Sequence, residues 1–178
     1  MSSRHARPAR RNRTSSRSSD AAPVFRELKR DECEAVLARN HVGRVAFTFH
    51  DHVDIEPVHY VYADGWLHGR TAPGGKIAVL RHHPWVAFEV DEVDGLFDWR
   101  SVVVHGGVHI PDPDGSPADR EAHAATLAQL RRLVPETLAQ HDPAPMRLLL
   151  FRIHIDDVTG RAAASGAAPA RRASSRKR

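Results

Sequence analysis

Short segments with an apolar or alternating pattern follow one another closely along most of the chain. They predict six strands, at residues 43–49, 55–63, 66–71, 85–93, 98–110 and 146–158. Most of the connections are short, and Asp64-Gly65 between the second and third strands is typical of a tight hairpin. We also expect a bulge at Gly106-Gly107, because glycines inside a strand often mark one.

Three segments have the longer period of a helix instead. The first spans 31–39 and begins at Asp31, the second spans 76–83 and stops before Pro84, and the third spans 118–134 with leucines on one face. Six strands with so few helices favour a mainly β fold. We predict a small, closed or nearly closed antiparallel barrel.

The two ends of the chain differ in composition from its middle. Residues 1–22 and 160–178 are rich in Arg, Ser and Ala and have almost no large apolar side chains. Such segments bury too little surface to offset the entropy of ordering the chain. We therefore predict two disordered basic tails around a single folded domain at 23–159.

The charge is divided in the same way. The chain has a net charge of +4, but 12 of its 26 basic residues and only one of its 22 acids lie in the predicted tails. The predicted domain is therefore acidic, whereas a folded nucleic-acid-binding module is expected to have a basic face. Weak, salt-dependent contact with nucleic acid or another polyanion is expected only through the tails, whose other role would be to keep the protein in solution.

The cysteine content bears on the cellular location. The only cysteine, Cys33, excludes an internal disulfide and fits the reducing cytoplasm, and helical spacing predicts that it is a small buried residue. No apolar run is long enough to span a membrane, and no apolar core follows the basic start as it would in a secretory signal. With its Arg-, Ala- and Pro-rich usage, the chain is predicted to be a cytoplasmic bacterial protein.

The stretch TAPGGKIAVL, at 71–80, is a candidate anion site. A Pro-Gly-Gly turn leads from a strand into a short helix that starts at Lys76, and a helix N-terminus with an added ammonium group suits a phosphate. The glycines allow close approach, and Arg70 and Thr71 end the preceding strand beside the same turn. The spacing is not that of a Walker loop. The alternative is an ordinary turn with an exposed lysine.

Other kinds of chemistry have less support in the sequence. The chain has 13 histidines, and His105 and His109 lie on one side of a strand, but no set has the spacing of a metal site, so none is predicted. No serine stands in a nucleophile elbow and no dinucleotide-binding glycine motif follows a strand. The carboxylates of 89–95 alternate as on the solvent-facing side of a strand.

Four motifs occur in order between roughly residues 25 and 161: GRVAF, EPVHYVYADGWLHGRTAPGGKIAVLRHHPWVAFEVDEV, DWRSVVVHGGV and FRIHIDDVTGR. In this order and spacing the chain resembles the pyridoxamine 5′-phosphate oxidase-like, FMN-binding split-barrel proteins. Within them it is most similar to the group that contains the nitroimidazole-resistance proteins. The resemblance implies a six-stranded antiparallel Greek-key split barrel that forms a homodimer and holds FMN at the subunit interface.

The resemblance also implies roles for individual residues. Lys76 matches the lysine that meets the flavin phosphate, and Arg70 and Thr71 match other positions on the phosphate side. The positions that match contacts to the flavin ring are Val58, His59, Tyr60, Trp99, Ser101 and Val102. His59 is the side chain nominated for catalysis, with packing at the dimer interface as its alternative role.

The activity implied by the resemblance is that of a flavin-dependent, nitroreductase-like oxidoreductase acting on a small organic substrate by hydride or electron transfer. The two arginines that grip pyridoxal phosphate in the vitamin oxidases are not evident, so that activity is not expected. Two alternatives stay open. One keeps the barrel and changes the cofactor to a deazaflavin or haem, and the other is a non-enzymatic flavin-binding or interaction protein.

Overall fold

The computed structural model describes residues 22–49 and 52–165, and the side chains at positions 49, 75 and 76 lie outside this description. The eight strands are β1 Val24–Glu27, β2 Val42–Phe49, β3 His52–Ala63, β4 Trp66–Thr71, β5 Trp85–Gly95, β6 Asp98–His109, β7 Leu149–His154 and β8 Asp157–Ala164. The three helices are α1 Arg30–Arg39, α2 Gly75–His82 and α3 Pro117–Leu133. No helix in these described ranges is long and apolar enough to cross a membrane.

All eight strands belong to one antiparallel sheet in the order β1-β8-β6-β5-β2-β3-β4-β7. The sheet closes on itself because β7 also pairs with β6, where Val108 lies opposite Ile153 and His109 opposite Arg152. Strands β2 to β7 therefore form a ring of six, and β8 and β1 extend the sheet from β6. This confirms the predicted mainly β, six-stranded antiparallel barrel and adds two strands outside the ring.

The barrel is split between β3 and β4. Their ladder has only four residue pairs, from Tyr60 opposite Gly69 to Ala63 opposite Trp66. Beyond this ladder, residues 52–59 of β3 pair only with β2 among the described strands, while β4 stays paired with β7 as far as Thr71. The two strands therefore separate, and α2 begins just after this opening.

Helix α1 covers one side of the barrel core. Cys33, Val36 and Leu37 are fully buried, which confirms that the cysteine is a small buried residue. The hydroxyl of Tyr60 donates a hydrogen bond of 2.9 Å to the carbonyl of Leu37, and its ring packs edge-on against Phe88. Burial raises the pKa of Tyr60. Each such fully buried apolar side chain contributes about 1.5–3 kcal/mol to folding.

Helix α3 packs on the outside of the barrel, against β3, β4 and β7. Its N-terminus is capped by Ser116, whose hydroxyl accepts the N–H of Asp119 at 3.1 Å, and Pro117 occupies the first helical position. Ala122, Thr126 and Leu130 form its buried face. All three helices lie within one residue of their predicted bounds, because caps and apolar periodicity are local signals.

The C-terminal boundary of the domain differs from the prediction. The segment predicted as one strand, 146–158, is divided into β7 and β8, and β8 continues to Ala164, so the boundary between 159 and 160 falls inside a strand. The strand is built from small residues: Ala162 and Ala163 are buried, and Gly160 lies directly against Cys33 of α1. This end of the strand lacks the large apolar side chains that predict a strand from sequence. Its small residues allow α1 to pack closely against it.

Strand β1, inside the predicted domain, was also missed. It is a four-residue strand with every residue exposed, and it pairs with β8 from Val24 opposite Ala164 to Glu27 opposite Arg161. Such a strand has no alternation for a sequence pattern to detect. Residues 1–21 and 166–178, most of the two predicted tails, lie outside the described residues, so their disorder stays a prediction.

The glycine pair in β6 does not form the expected bulge. The β5–β6 register is continuous from Trp85 opposite Gly107 to Val93 opposite Trp99, and its only irregularity lies between Val93 and Gly95. The glycine is required for another reason. At Gly106, β6 changes partner from β8 to β7, and the carbonyl oxygen of His154 lies where a Cβ atom would stand.

A buried ion pair fastens the connection between α3 and β7 to the barrel. The Arg70 guanidinium donates two hydrogen bonds to the Asp142 carboxylate, at 2.5 and 2.9 Å, and the two side chains are only 9% and 3% exposed. The same carboxylate accepts the backbone N–H groups of Leu138 and Ala144. Hydrogen bonds from Arg70 above all, and then from these N–H groups, hold the pKa of Asp142 well below its usual range.

We expect Gly106→Ala to lower the free energy of unfolding by about 1–3 kcal/mol, because the added methyl group collides with backbone rather than with a movable side chain. Gly107→Ala is the matched control, since nothing lies within 4 Å of a Cβ at that position. Urea denaturation of both variants measures the difference. Equal stability of the two variants would contradict the close approach of β6 and β7.

We expect Asp142→Asn to lower the melting temperature at neutral pH by several degrees, because it leaves Arg70 buried and unpaired. A depressed carboxyl pKa stabilises the fold above the ordinary aspartate pKa of about 4, and this stabilisation is lost as the pH falls. The difference in melting temperature between wild type and variant should therefore be constant at about pH 5–8 and become smaller on acidification.

Thermal unfolding across this pH range tests the ion pair. Glu34→Gln is the control, because it removes an exposed ion pair with Arg30 on the surface of α1 and should change the melting temperature little. A gap for Asp142→Asn that stays the same at low pH would show that the ion pair is not what stabilises this loop.

Candidate functional site

The opening between β3 and β4 leads directly to the N-terminus of α2. After Thr71 the chain makes a short connection, and α2 starts at Gly75, one residue before the predicted start. Lys76 is the second residue of α2, and its side chain lies outside the described residues. The first turn of α2 contains no acidic residue, so no carboxylate of that turn competes for its free N–H groups.

The residues beside the opening point in two directions, as alternation along a strand requires. Val58, Tyr60 and Thr71 are buried. Val58 and Thr71 line an internal cavity of about 20 Å³ beneath Ile77 and Leu80 of α2, which is room for roughly one water molecule. These three residues could therefore offer a large ligand only their backbone groups.

His59 and Arg70 point to the other side and line a much larger space, which we call the outer groove. Its lining residues are His41, His59, Arg70, Leu130, Leu133, Val134, Thr137, Ala144, Met146 and Arg147. The groove has a volume of about 450 Å³, within the range of small-molecule sites. Its walls are the β2 and β3 edge, the C-terminal half of α3 and the loop that Asp142 anchors.

The lining of the outer groove includes two arginines and two histidines and no carboxylate. Arg70 is already neutralised by Asp142, so this residue, predicted for the phosphate side, is engaged by the protein itself. His41, His59 and Arg147 have no ion pair with any residue in the described part of the chain. His41 and Arg147 were not predicted, although the pairing of Val42 with His59 explains the position of His41.

The remaining predicted ring contacts lie elsewhere on the barrel. Val102 is fully buried, the Ser101 hydroxyl donates to Glu89 at 3.1 Å, and the half-buried Trp99 packs against Phe25. In the ring of six strands, β2 and β5 separate β3 from β6 on one side and β4 and β7 separate them on the other, so His59 and Ser101 lie on opposite strands of the barrel. One chain therefore does not bring all the predicted site residues together.

A metal site and a pair of histidines on β6 can be checked against the same geometry. No group of three or more His, Cys, Asp or Glu side chains within 22–49 and 52–165 is arranged to hold a metal ion. His105 is exposed, and His109 is engaged by Asp119 at 3.0 Å and by Arg152 at 3.1 Å. The His109 side chain is therefore engaged by its neighbours, and it does not form a pair with His105.

Comparison with known proteins places the chain among relatives of similar length. It is 30% identical over 148 residues to an uncharacterized protein of Rhizobium meliloti, covering 79% of this chain and 97% of that one. A solved FAD-binding protein of Mesorhizobium loti is 29% identical, with 80% of this chain and 99% of that chain aligned and a TM-score of 0.62.

A more distant solved structure shares the fold. It is a candidate 5-nitroimidazole antibiotic resistance protein of Bacteroides thetaiotaomicron, with 17% identity, 80% of this chain and 89% of that chain covered, and a TM-score of 0.58. The family model described as pyridoxamine 5′-phosphate oxidase matches residues 29–162, which include all of the barrel ring. The chain therefore belongs to the pyridoxamine 5′-phosphate oxidase family.

Proposed function

We propose that the protein is a flavin-binding oxidoreductase, dimeric and cytoplasmic, that carries FMN and reduces a small organic substrate. The observation that carries the proposal is the split between β3 and β4, beside which lie a helix N-terminus and a groove lined by arginine, histidine and apolar side chains without a carboxylate. The FAD-binding relative from Mesorhizobium loti, which aligns over nearly its whole length, supports a flavin.

The residues present fit the phosphate end of such a cofactor. The free N–H groups in the first turn of α2 and the ammonium group of Lys76 suit a dianion, and Gly74 leaves open space beside the helix start. Arg70 is a weaker candidate because its charge is used by Asp142. We assign the phosphate to Lys76 and the α2 N–H groups, and to Arg70 the role of holding the groove wall.

The ring of the cofactor fits along β3. Near Val58 and His59 this strand has left β4, so backbone is accessible at the opening for the polar rim of a flavin. His59 is the exposed side chain at this place, and it is the side chain that we propose for catalysis. The flavin supplies the redox chemistry when bound, and the protein supplies position and electrostatics.

A second copy of the chain is needed to complete the proposed site. Trp99 and Ser101 lie too far from His59 to contact the same ring within one chain. The outer face of β2, β3 and β5 exposes Val53, Ile55 and Trp85, and a contiguous apolar surface of this kind is typical of an interface. A homodimer packed on this face would bring β6 of one subunit toward β3 of the other.

The cofactor can be identified directly. We expect the purified protein to release a pigment on heating that has a flavin absorbance spectrum and the mass of FMN. The mass of FAD would correct the cofactor while keeping the flavin, and a deazaflavin or haem spectrum would replace it. A colourless protein that takes up no added FMN would overturn the proposed function.

We expect Lys76→Ala to weaken flavin binding by about 10- to 100-fold, the effect of losing one charge-assisted hydrogen bond to a phosphate. Lys29→Ala is the control, because Lys29 is exposed at the start of α1, away from the opening. Fluorescence titration of the apoprotein with FMN measures both affinities. Equal affinities in the two variants would reject the assigned phosphate site.

A further inference from the structure

Arg147 is an arginine of the outer groove whose side chain has no partner within the described part of the chain. It is half-buried and lines the groove, and its guanidinium forms no hydrogen bond or ion pair with any residue of 22–49 or 52–165. Arg70 in the same groove differs, because its guanidinium is paired with Asp142. Partial burial takes water away from a charged group, and an opposite charge then becomes the partner that stabilises it. An anion in the groove would be that partner for Arg147.

No carboxylate competes with such an anion inside the groove. Asp142, the acid nearest to Arg147 along the loop, is used by Arg70 and by the N–H groups of Leu138 and Ala144. The lining itself contains no Asp or Glu. An anion that enters the groove therefore meets one unpaired guanidinium and no repelling charge in the lining.

The α3 wall of the groove is apolar and fixed in place. Leu130 and Leu133 pack with Val61 and Leu150 of the barrel in a small apolar cluster, which holds the C-terminal half of α3 against the strands. Met146 lines the groove from the loop and is 63% exposed. Preformed apolar walls with a few placed polar groups are typical of sites for small organic molecules.

The loop that carries Arg147 is held by hydrogen bonds as well as by the buried ion pair. The Arg131 guanidinium donates to the Thr137 carbonyl at 3.1 Å, and the Thr137 hydroxyl donates to the Val134 carbonyl at 2.7 Å. The N–H of Arg147 donates to the Ala144 carbonyl at 3.0 Å. A backbone that is ordered before a ligand arrives lowers the entropic cost of binding.

A single guanidinium favours one kind of anion. Its planar set of N–H groups matches the two oxygens of a carboxylate, as the pairing of Arg70 with Asp142 demonstrates in this chain. A phosphate dianion carries more charge than one arginine neutralises, and we assign the phosphate to Lys76 and the start of α2. The composition of the groove therefore favours a carboxylate attached to an apolar body.

We propose that the outer groove binds the substrate as a small organic carboxylate, with the carboxylate on Arg147 and the apolar body against Leu133, Val134 and Met146. The inference rests on the proposed function, because His59 lines the groove and also lies at the accessible edge of β3 where the cofactor ring is placed. The two sites adjoin at this residue. A groove of about 450 Å³ that is shared with the cofactor ring limits the body to a single ring or a short branched chain.

A matched pair of small ligands tests the charge requirement. Benzoate and benzamide have nearly the same shape, but only benzoate is charged. In a ligand-observed NMR titration of the flavin-free, full-length protein, benzoate should bind at least about tenfold more tightly than benzamide, the effect of hydrogen bonds to a charged group. Equal affinities, or no binding of benzoate, would overturn the proposal.

Arg147→Met tests the residue assigned to the carboxylate. We expect it to lower the affinity for benzoate by about 10- to 100-fold, to that of benzamide, and to leave the affinity for benzamide unchanged. Arg132→Met is the control, because Arg132 is an exposed arginine of α3 outside the groove. The same loss in both variants would show that benzoate responds only to the net charge of the protein, which would reject the site.

Met146→Glu tests the site with little risk to the fold, because the position is exposed. The new carboxylate should repel benzoate and lower its affinity by about fivefold, as expected for about 1 kcal/mol of repulsion between charges near the surface. Leu148→Glu is the control, since Leu148 is 57% exposed and lies outside the groove lining. Equal weakening of benzoate binding by the two acidic variants would contradict the proposal.

Titration with FMN separates the carboxylate site from the cofactor site. Arg147→Met should keep the wild-type affinity for FMN, and a loss as large as that of Lys76→Ala would place Arg147 on the cofactor phosphate and overturn the inference. If benzoate binds with the expected dependence on Arg147 to a protein that takes up no FMN, the carboxylate site stands and the proposed function falls. If FMN binds but benzoate does not, the proposed function stands and the carboxylate site falls.

Discussion

Closure of the barrel depends on strand β6, which pairs with two different strands along one edge. Residues 99–105 lie opposite β8, and Val108 and His109 lie opposite β7. The change occurs at Gly106, where the backbone of His154 approaches too closely for any side chain. Without that approach β7 could not reach β6, and the ring of six strands would remain an open sheet with an uncovered core.

The position of the candidate site follows from this closure. Strand β4 has six residue pairs with β7 but only four with β3, so its end follows β7 and separates from β3. The separation of β4 from β3 leaves an edge of β3 accessible. The start of α2 and the inner side of the outer groove lie beside this edge. Arg70, at the end of β4, then holds the outer side of the groove through Asp142. The geometry of the groove is therefore set by strand pairing, with one ion pair fixing its loop.

The sequence predicts those parts of the structure that depend on local patterns. Strand β4 has the predicted bounds, and the helices differ by one residue, because turns, caps and periodicity act over a few positions. The parts that it does not predict depend on long-range contacts or on small side chains. The partner of Arg70 lies 72 residues away, and the end of β8, from Gly160 to Ala164, lacks the large apolar side chains that mark a strand. Arg147 reaches the groove only through the fold of a loop.

The pairing of β1 with β8 has a consequence for the ends of the chain. Because Val24 lies opposite Ala164, the chain enters and leaves the barrel domain at one corner of the sheet. The terminal sequences attached there, 1–21 and 166–178, together contain eleven basic residues and a single acid. Two weak electrostatic contacts that start from one point reinforce each other through their high effective concentration. If the terminal sequences bind a polyanion, as their charge predicts, both would therefore act from this one corner of an otherwise acidic domain.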